Sequence, residues 1–456
     1  MDILGAVVQV ADSGGPLSGV RVVELGSFVA GPFAGQLLAD LGAEVLKVEP
    51  PGGDGLRSWG LMAPSGTSWW SYAQNRGKRL ACVDVARPEG QALLRRLLGE
   101  VDVLVANLRP ATIERWGLGP ERLRRELPHL VYVAISGYGL TGPNSSLPGF
   151  GSIAECRGGL RYVTGFPDRP PVRNGISLGD AAAGMFAVIG ALASLVARER
   201  GAGDGEVVDV SLADAVFALT EAAITEYVHE GVVRERTGNQ LLRAAPSNVY
   251  RTADNAWFAI GANSDALFGR LVTAMGEPGL ADDPRFADNQ SRVAHADELD
   301  ERIAGWVAGQ TADEVATTAA EAGIPAGPVQ SMAEIAADPQ FRERDMIIEV
   351  RDPDSPELGP VTMVGTVPKL WNRSHQPMST SSTIGRESSL LARWAGLDED
   401  EYQRLLDAGV LVDAAPERQT HAVRNAGNEG RSASGPAEGR SAEGRSAEGR
   451  SAEGSG

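Results

Sequence analysis

From Val20 to Ser136 five β-rich apolar runs alternate with segments of helical character, and this alternation restricts the chain to few architectures. The run "VRVVEL" is followed by a turn, "GSFVAG", and by "PFAGQLLADLG". In that segment Pro32 suits a first helical turn and Gly42 suits a helix end. "AEVLKVE" returns as a second strand, which makes a βαβ unit with both strands parallel in one sheet. "RLACVDV", "VDVLVANL" and "HLVYVAIS" read as further strands, with "PEGQALLRRLLGE" and "PATIERWGL" as helices between them. Such alternation predicts an α/β fold built on a doubly wound parallel sheet. Ligands of these sheets bind beyond the carboxyl ends of the strands. The turns after Leu25, Leu108 and Ser136 are therefore the places to look for a site.

At 456 residues the chain is too long for one small core. Its texture changes after about Val232, where "RERTGNQLLRAAPSN" is polar and loop-like. "VYRTADNAWFAIGA" reads as a hairpin turning at Asp254 and Asn255. Two capping boxes, Thr311 with Glu314 and Ser331 with Glu334, announce helices. The expected layout is a leader (1–16), a large domain (17–232) and a small α+β domain (240–333). A connecting segment returning to the large domain (334–413) and a low-complexity tail (414–456) complete it. The tail repeats "EGRSA", mixes charges and carries no large apolar residues, so it is expected to be disordered.

The net charge of −18 argues against nucleic acid as a partner. Two cysteines, Cys82 and Cys156, cannot build a disulfide framework, and a reduced, cytoplasmic setting fits. The start, "MDILGAVVQVADSGG", has no basic n-region and is read as an added leader. Residues 181–197 are uncharged and barely long enough to cross a bilayer. They are dominated by alanine and glycine, so a buried core helix is expected and no membrane partner.

Five scattered histidines and two cysteines offer no metal-ligand spacing, so no metal is expected. "GSFVAGPFAG" lacks the GxGxxG fingerprint, and neither GxSxG nor a P-loop occurs. Three segments remain. "NRGKR" places Arg76, Lys78 and Arg79 on a loop before a strand, either as a solvated surface run or as a phosphate site. "NLRP" offers Asn107 and Arg109 at a strand end, and Arg115 follows in the next helix. "GISLGDAAAGM" puts one acid, Asp180, at the head of the long apolar run. An aspartate there can cap its helix. It can equally serve as a carboxylate nucleophile, held ionised by amides and the helix dipole among small neighbours. Both readings stand on the residues alone.

Taken together, these segments resemble the class III CoA-transferases, the family of formyl-CoA transferase and the carnitine CoA-transferases. The matching stretches are "LSGVRVVELGSFVAGPFAGQLLADLGAEVLKVEPPGGD", "QNRGKRLACVD", "DVLVANLRP", "ISGYGLTGP", "GISLGDAAAGMFAVIGALASLVARERGAGDGEVVDVSLADAV" and "GIPAGPV". The resemblance runs from about residue 17 to 412. It implies a Rossmann-like large domain, a small domain and an interlocked homodimer. It also implies CoA transfer from an acyl-CoA to a carboxylic acid, with no permanently bound cofactor. The family's catalytic aspartate falls on Asp180, which would form an aspartyl anhydride and then an aspartyl-CoA thioester. The CoA contacts fall on the backbone of Val29 and Ala30, and on Lys78, Arg79, Asn107, Leu108 and Arg115.

Two departures stand out. The glycine-rich lid of some members corresponds here to "GNQLLRAAPSN", without a glycine run, and a lysine of some members is Pro148. The related α-methylacyl-CoA racemases need a histidine as second base, and Phe150 stands at that position. A CoA-binding protein without catalysis, with Asp180 as a plain cap, is the third reading.

Overall fold

Valine, leucine and isoleucine runs that are apolar at consecutive positions can bury both of their faces. In the computed structural model, which describes residues 14–372 and 378–414, these runs form the centre of the chain. The strands are β1 (Arg21–Leu25), β2 (Glu44–Glu49), β3 (Arg79–Val83), β4 (Val103–Ala106), β5 (Val131–Ser136) and β6 (Val207–Ser211). Their order, β3-β2-β1-β4-β5-β6, is fully parallel. It is the doubly wound arrangement, with its switch point where β1 lies between β2 and β4.

Successive residues of each strand point to opposite faces. Val22, Val45, Val103 and Val131 meet the first helix (Ala30–Asp40) and the helix Leu178–Glu199 on one face. Val23, Leu46, Leu104 and Tyr132 face the helices Pro88–Leu98 and Ser388–Trp394 on the other. The helix Pro88–Leu98 buries Leu93, Leu94, Leu97 and Leu98, the stripe its helical period predicts. Each such leucine contributes about 2 kcal/mol of burial.

A second core lies outside this sheet. A three-stranded antiparallel sheet, β7 (Ser247–Arg251), β8 (Trp257–Gly261) and β9 (Ala326–Pro328), packs Phe258 and Ile260 against Phe268, Phe286, Leu299 and Ile303. Its first turn carries Asn255 at φ 66°, a left-handed position that asparagine tolerates. Both capping boxes form, Thr311 with Glu314 and Ser331 with Glu334.

Two features depart from expectation. The stretch 334–413 is more than a connection. It contains an antiparallel hairpin, β10 (Ile347–Arg351) with β11 (Pro360–Val364), and a short strand, β12 (Leu411–Val412), that pairs antiparallel with β3. The apolar helix Leu178–Glu199 is long and apolar enough to cross a membrane, yet one face packs into the core through Ala182, Ala183, Ala187, Ala191 and Leu195. It is not buried all round, because Met185, Phe186, Ile189 and Val196 are exposed. The leader before residue 14 and the tail after residue 414 lie outside the described residues.

Candidate active site

At the switch point the turn after β1 is clamped by the residue that follows β4. Asn107 accepts a hydrogen bond from the Ser27 amide at 2.7 Å and donates to the Ser27 carbonyl at 2.8 Å. This amide-to-backbone pairing holds Phe28 at φ 63°, a strained setting for a bulky residue. The Phe28 ring packs on Trp59, with centroids 5.0 Å apart. A side chain at Gly31 would place its Cβ 2.9 Å from Asn107 Cγ, so glycine is required there. The structure thus gathers Val29, Ala30, Asn107 and Leu108 at one crevice. The side chains of Val29 and Ala30 are buried, which leaves their backbone as what they can offer a ligand.

Beneath the turn lies a charged network with almost no exposure. Lys47 pairs with Glu24 and Asp54, each at 2.8 Å, and donates to the Gly26 carbonyl at 2.9 Å. Asp54 accepts from the Ser27 hydroxyl and the Phe28 amide. Burial alone would raise the Asp54 carboxyl, but Lys47 outweighs it and holds the group at about 2. Arg57 forks onto both oxygens of Glu49. With Lys78 the network holds three cations and three carboxylates, and such matching is the condition for burying them.

Lys78 belongs to this network and does not reach the surface. Its ammonium contacts Glu24 at 2.6 Å and donates to the Pro32 carbonyl at 2.6 Å. Burial lowers its pKa to about 8 despite Glu24. The expectation that Lys78 presents a cation to phosphate is therefore not met by this geometry. It ties β1 to the first helix instead. Arg76 is likewise buried, forked onto Asp40. Of the "NRGKR" cations, Arg79 is partly exposed and makes no ion pair among the described residues. Arg109 and Arg115 are exposed and also unpaired. Those three are the cations a phosphate could meet without breaking a buried pair.

The helix that carries Asp180 packs across the first helix. A side chain at Gly184 would lie 3.1 Å from the Ala30 carbonyl and 2.9 Å from Phe33, so this glycine lets the two helices touch. Asp180 precedes Gly184 by one turn and shares its face. It sits in the first turn of its helix, partly buried, with Gly151 against its carboxylate.

The cap reading of Asp180 fails. Its carboxylate makes no hydrogen bond among the described residues, and the N-cap Ser177 provides no side-chain bond either. The acid that serves the helix end comes from elsewhere. Glu155, on the short helix Gly151–Arg157, is fully buried and accepts the Gly179 amide at 3.3 Å. Its other oxygen pairs with Arg161 at 3.2 Å. Gly151 begins that short helix, and a Cβ there would lie 2.0 Å from Asp180 Oδ2. Burial first, then the charge of Glu155, raise the Asp180 carboxyl to about 6, with Arg173 pulling the other way. Among the described residues, Glu155 and Arg173 are the charged groups acting on it, and no histidine is. Phe150 stands exposed at the head of the Gly151 helix.

Glu155, Arg173 and the Glu24–Lys47–Asp54 network were not singled out from sequence. Glu155 and Asp180 are 25 positions apart and meet through helix packing, which no local spacing signals. Arg173 had one visible sign: it follows two prolines in the extended stretch "RPPVRN" that leads into "GISLGD".

Comparison with known proteins gives one answer. Residues 17–386 match the model for CoA-transferase family III. The chain is 48% identical over 392 residues to succinyl-CoA–D-citramalate CoA-transferase of Chloroflexus aurantiacus, covering 86% of this chain and 96% of that one. It is 35% identical over 402 residues to the alpha subunit of succinyl-CoA–L-malate CoA-transferase from Chloroflexus aurantiacus, covering 87% and 92%. A CaiB/BaiF family protein from Brucella suis has the same fold, with TM-score 0.74 and 33% identity over 84% of this chain and all of that one.

Proposed function

The chain belongs to CoA-transferase family III and is a class III CoA-transferase, and from that premise we propose that Asp180 carries the transfer covalently. The observation that supports this most directly is the free state of its carboxylate. Among the described residues it makes no hydrogen bond, it lies in the first turn of its helix, and it has a glycine, Gly151, against its oxygens.

The Asp180 carboxylate attacks the thioester carbonyl of the donor. A C–O bond forms, the C–S bond breaks, and CoA leaves as a thiolate, giving a mixed anhydride. The thiolate attacks the aspartyl carbonyl, and the donor acid leaves as a carboxylate. The acceptor carboxylate then expels CoA from the aspartyl thioester, forming a second anhydride. The thiolate attacks the acceptor's acyl carbonyl and frees Asp180. No proton, electron or metal is consumed. A carboxylate raised to about 6 is a stronger base than an ordinary aspartate yet still largely ionised at neutral pH.

Acyl-CoA and a free carboxylic acid are the substrates. The named relatives act on dicarboxylic acids, succinyl-CoA with D-citramalate or L-malate. We extend that class to this chain, with Arg173 as the cation for the second carboxylate. Arg173 is exposed, acts on Asp180 and makes no other pair among the described residues. The working form is a cytoplasmic, interlocked homodimer. The exposed apolar face of the Asp180 helix supports this, as does the helix Ala223–Glu230, which buries no residue within one chain.

The test is a panel of acyl-CoA donors against mono- and dicarboxylic acceptors, with hydroxylamine added during turnover. Transfer with a hydroxamate adduct on Asp180 is the expected result. Transfer without any adduct on Asp180 removes the covalent route. Deuterium entering the α-carbon of a 2-methylacyl-CoA in D₂O, with no acceptor present, would replace it with racemase chemistry.

A further inference from the structure

We propose that Glu155 is a positioning residue for the transfer reaction: its buried carboxylate holds the first turn of the Asp180 helix and sets its charge against that of Asp180, so that this charge governs the pH at which transfer begins. The inference rests on the assignment of Asp180 as nucleophile.

The geometry has three parts. First, Glu155 does the work an N-cap would do. The amides of a first helical turn have no partner within the helix. Ser177 makes no side-chain bond, and Glu155 accepts the Gly179 amide from a different helix. The residue it holds is the immediate neighbour of Asp180. Second, that contact is rigid. Glu155 is fully buried, its second oxygen is anchored by Arg161, and Gly179 is tightly packed. A Cβ on Gly179 would lie 3.1 Å from the Gly151 carbonyl and 3.2 Å from both Glu155 Cγ and Val216. Third, the same short helix bears Gly151 against the Asp180 oxygens, so one element both receives the nucleophile and charges its surroundings.

The chemistry follows from like charge. An anion placed behind a carboxylate favours its protonated form and makes its ionised form more basic. A more basic carboxylate attacks a thioester faster, and it loses that advantage once protonated. The groups facing Asp180 are Glu155 on the Gly151 helix and Arg173 on the approach segment, with Arg161 behind Glu155. Glu155 therefore trades activity at acid pH for nucleophilicity at neutral pH. If it only filled space or capped the helix, an uncharged side chain of the same shape would leave the pH profile unmoved.

Glu155→Gln provides that shape. It keeps an acceptor oxygen for the Gly179 amide and removes the charge. Two readouts apply: the acid limb of the kcat–pH profile, and the titration midpoint of the Asp180 carboxyl carbon. The midpoint is followed by ¹³C NMR in aspartate-labelled protein and assigned by its loss in Asp180→Asn. Both should move to lower pH in Glu155→Gln, by on the order of one pH unit. Arg161→Gln strips the counter-charge from Glu155 and should move both upward, which decides the matter if Glu155→Gln does not fold. Unmoved limbs and midpoints, or movement of both variants in the same direction, overturn the proposal. The NMR readout needs no substrate. A wild-type protein that shows no transfer but a shifting midpoint would sink the Asp180 function and leave the electrostatic link. Transfer with an unshifted midpoint would sink the link alone.

Discussion

At neutral pH Asp180 is ionised in surroundings that resist its charge, and the fold carries that cost. Its carboxyl is raised from 3.8 to about 6, by burial and then by Glu155. The folded state therefore holds the proton more tightly than the unfolded chain does. Stability is lost as pH rises from about 4 through 6 and stays lost above. Asp180→Asn escapes this. It should be more stable than the wild type at pH 8, by on the order of 1–3 kcal/mol, with the gain shrinking as pH falls towards 4. Thermal unfolding across that range measures it. The same variant should give no transfer, since an amide is not a carboxylate nucleophile. Equal stability at pH 8 would contradict the raised pKa. Arg173 lends itself to a separate measurement. Arg173→Gln should raise KM for a dicarboxylic acceptor by about 10- to 100-fold, the worth of a charge-assisted bond. It should leave a monocarboxylic acceptor nearly unchanged. Equal losses on both would remove Arg173 from recognition of the second carboxylate.

Among the elements, the Gly151 helix is the one packed against the Asp180 carboxylate. A methyl group on Gly151 would lie 2.0 Å from Asp180 Oδ2, well inside contact distance. Gly151→Ala must push the acid or the helix aside, and displacement by an ångström at a reacting centre is costly. The expectation is a fall in kcat of at least about 10-fold with the protein still folded by circular dichroism; a normal kcat would show that the acid has room to move. This level also explains what could be read from sequence. The parallel strands were legible because both their faces are buried, so Val, Leu and Ile run on without polar breaks. β9 and β12 were not legible, being three and two residues long, with Pro328 inside the first. The hairpin of β10 and β11 hid because "DPDSPELG" between its strands reads as loop. At the site, Asn107 and Asp180 were singled out from their places at a strand end and a helix start, and the structure describes them at those places. Lys78 misled because its partner Glu24 is 54 positions away, and a basic pentapeptide looks solvated until such a partner is known. Glu155 escaped for the same reason.

For the whole molecule, the apolar face of the Asp180 helix bears on assembly. Met185, Phe186, Ile189 and Val196 stand exposed on one chain, Ile189 at 60%. The helix Ala223–Glu230 likewise exposes Ile224, Tyr227 and Val228. Exposed apolar side chains gathered on one helix face are of the kind that interaction surfaces carry. If a second copy covers that face and the two chains are also interlocked, the interface behaves unlike an ordinary one. Two docked subunits can part on dilution or after a charge is placed between them. Two linked rings cannot part unless one of them unfolds and unthreads. Ile189→Glu should therefore lower the yield of folded protein, and what folds should still sediment as a dimer. The wild type should remain dimeric at nanomolar concentration, because separation is limited by unfolding rather than by affinity. Analytical ultracentrifugation over a wide concentration range makes the distinction. A folded monomer that appears on dilution, or a soluble monomeric Ile189→Glu, would mean that the chains dock without interlocking.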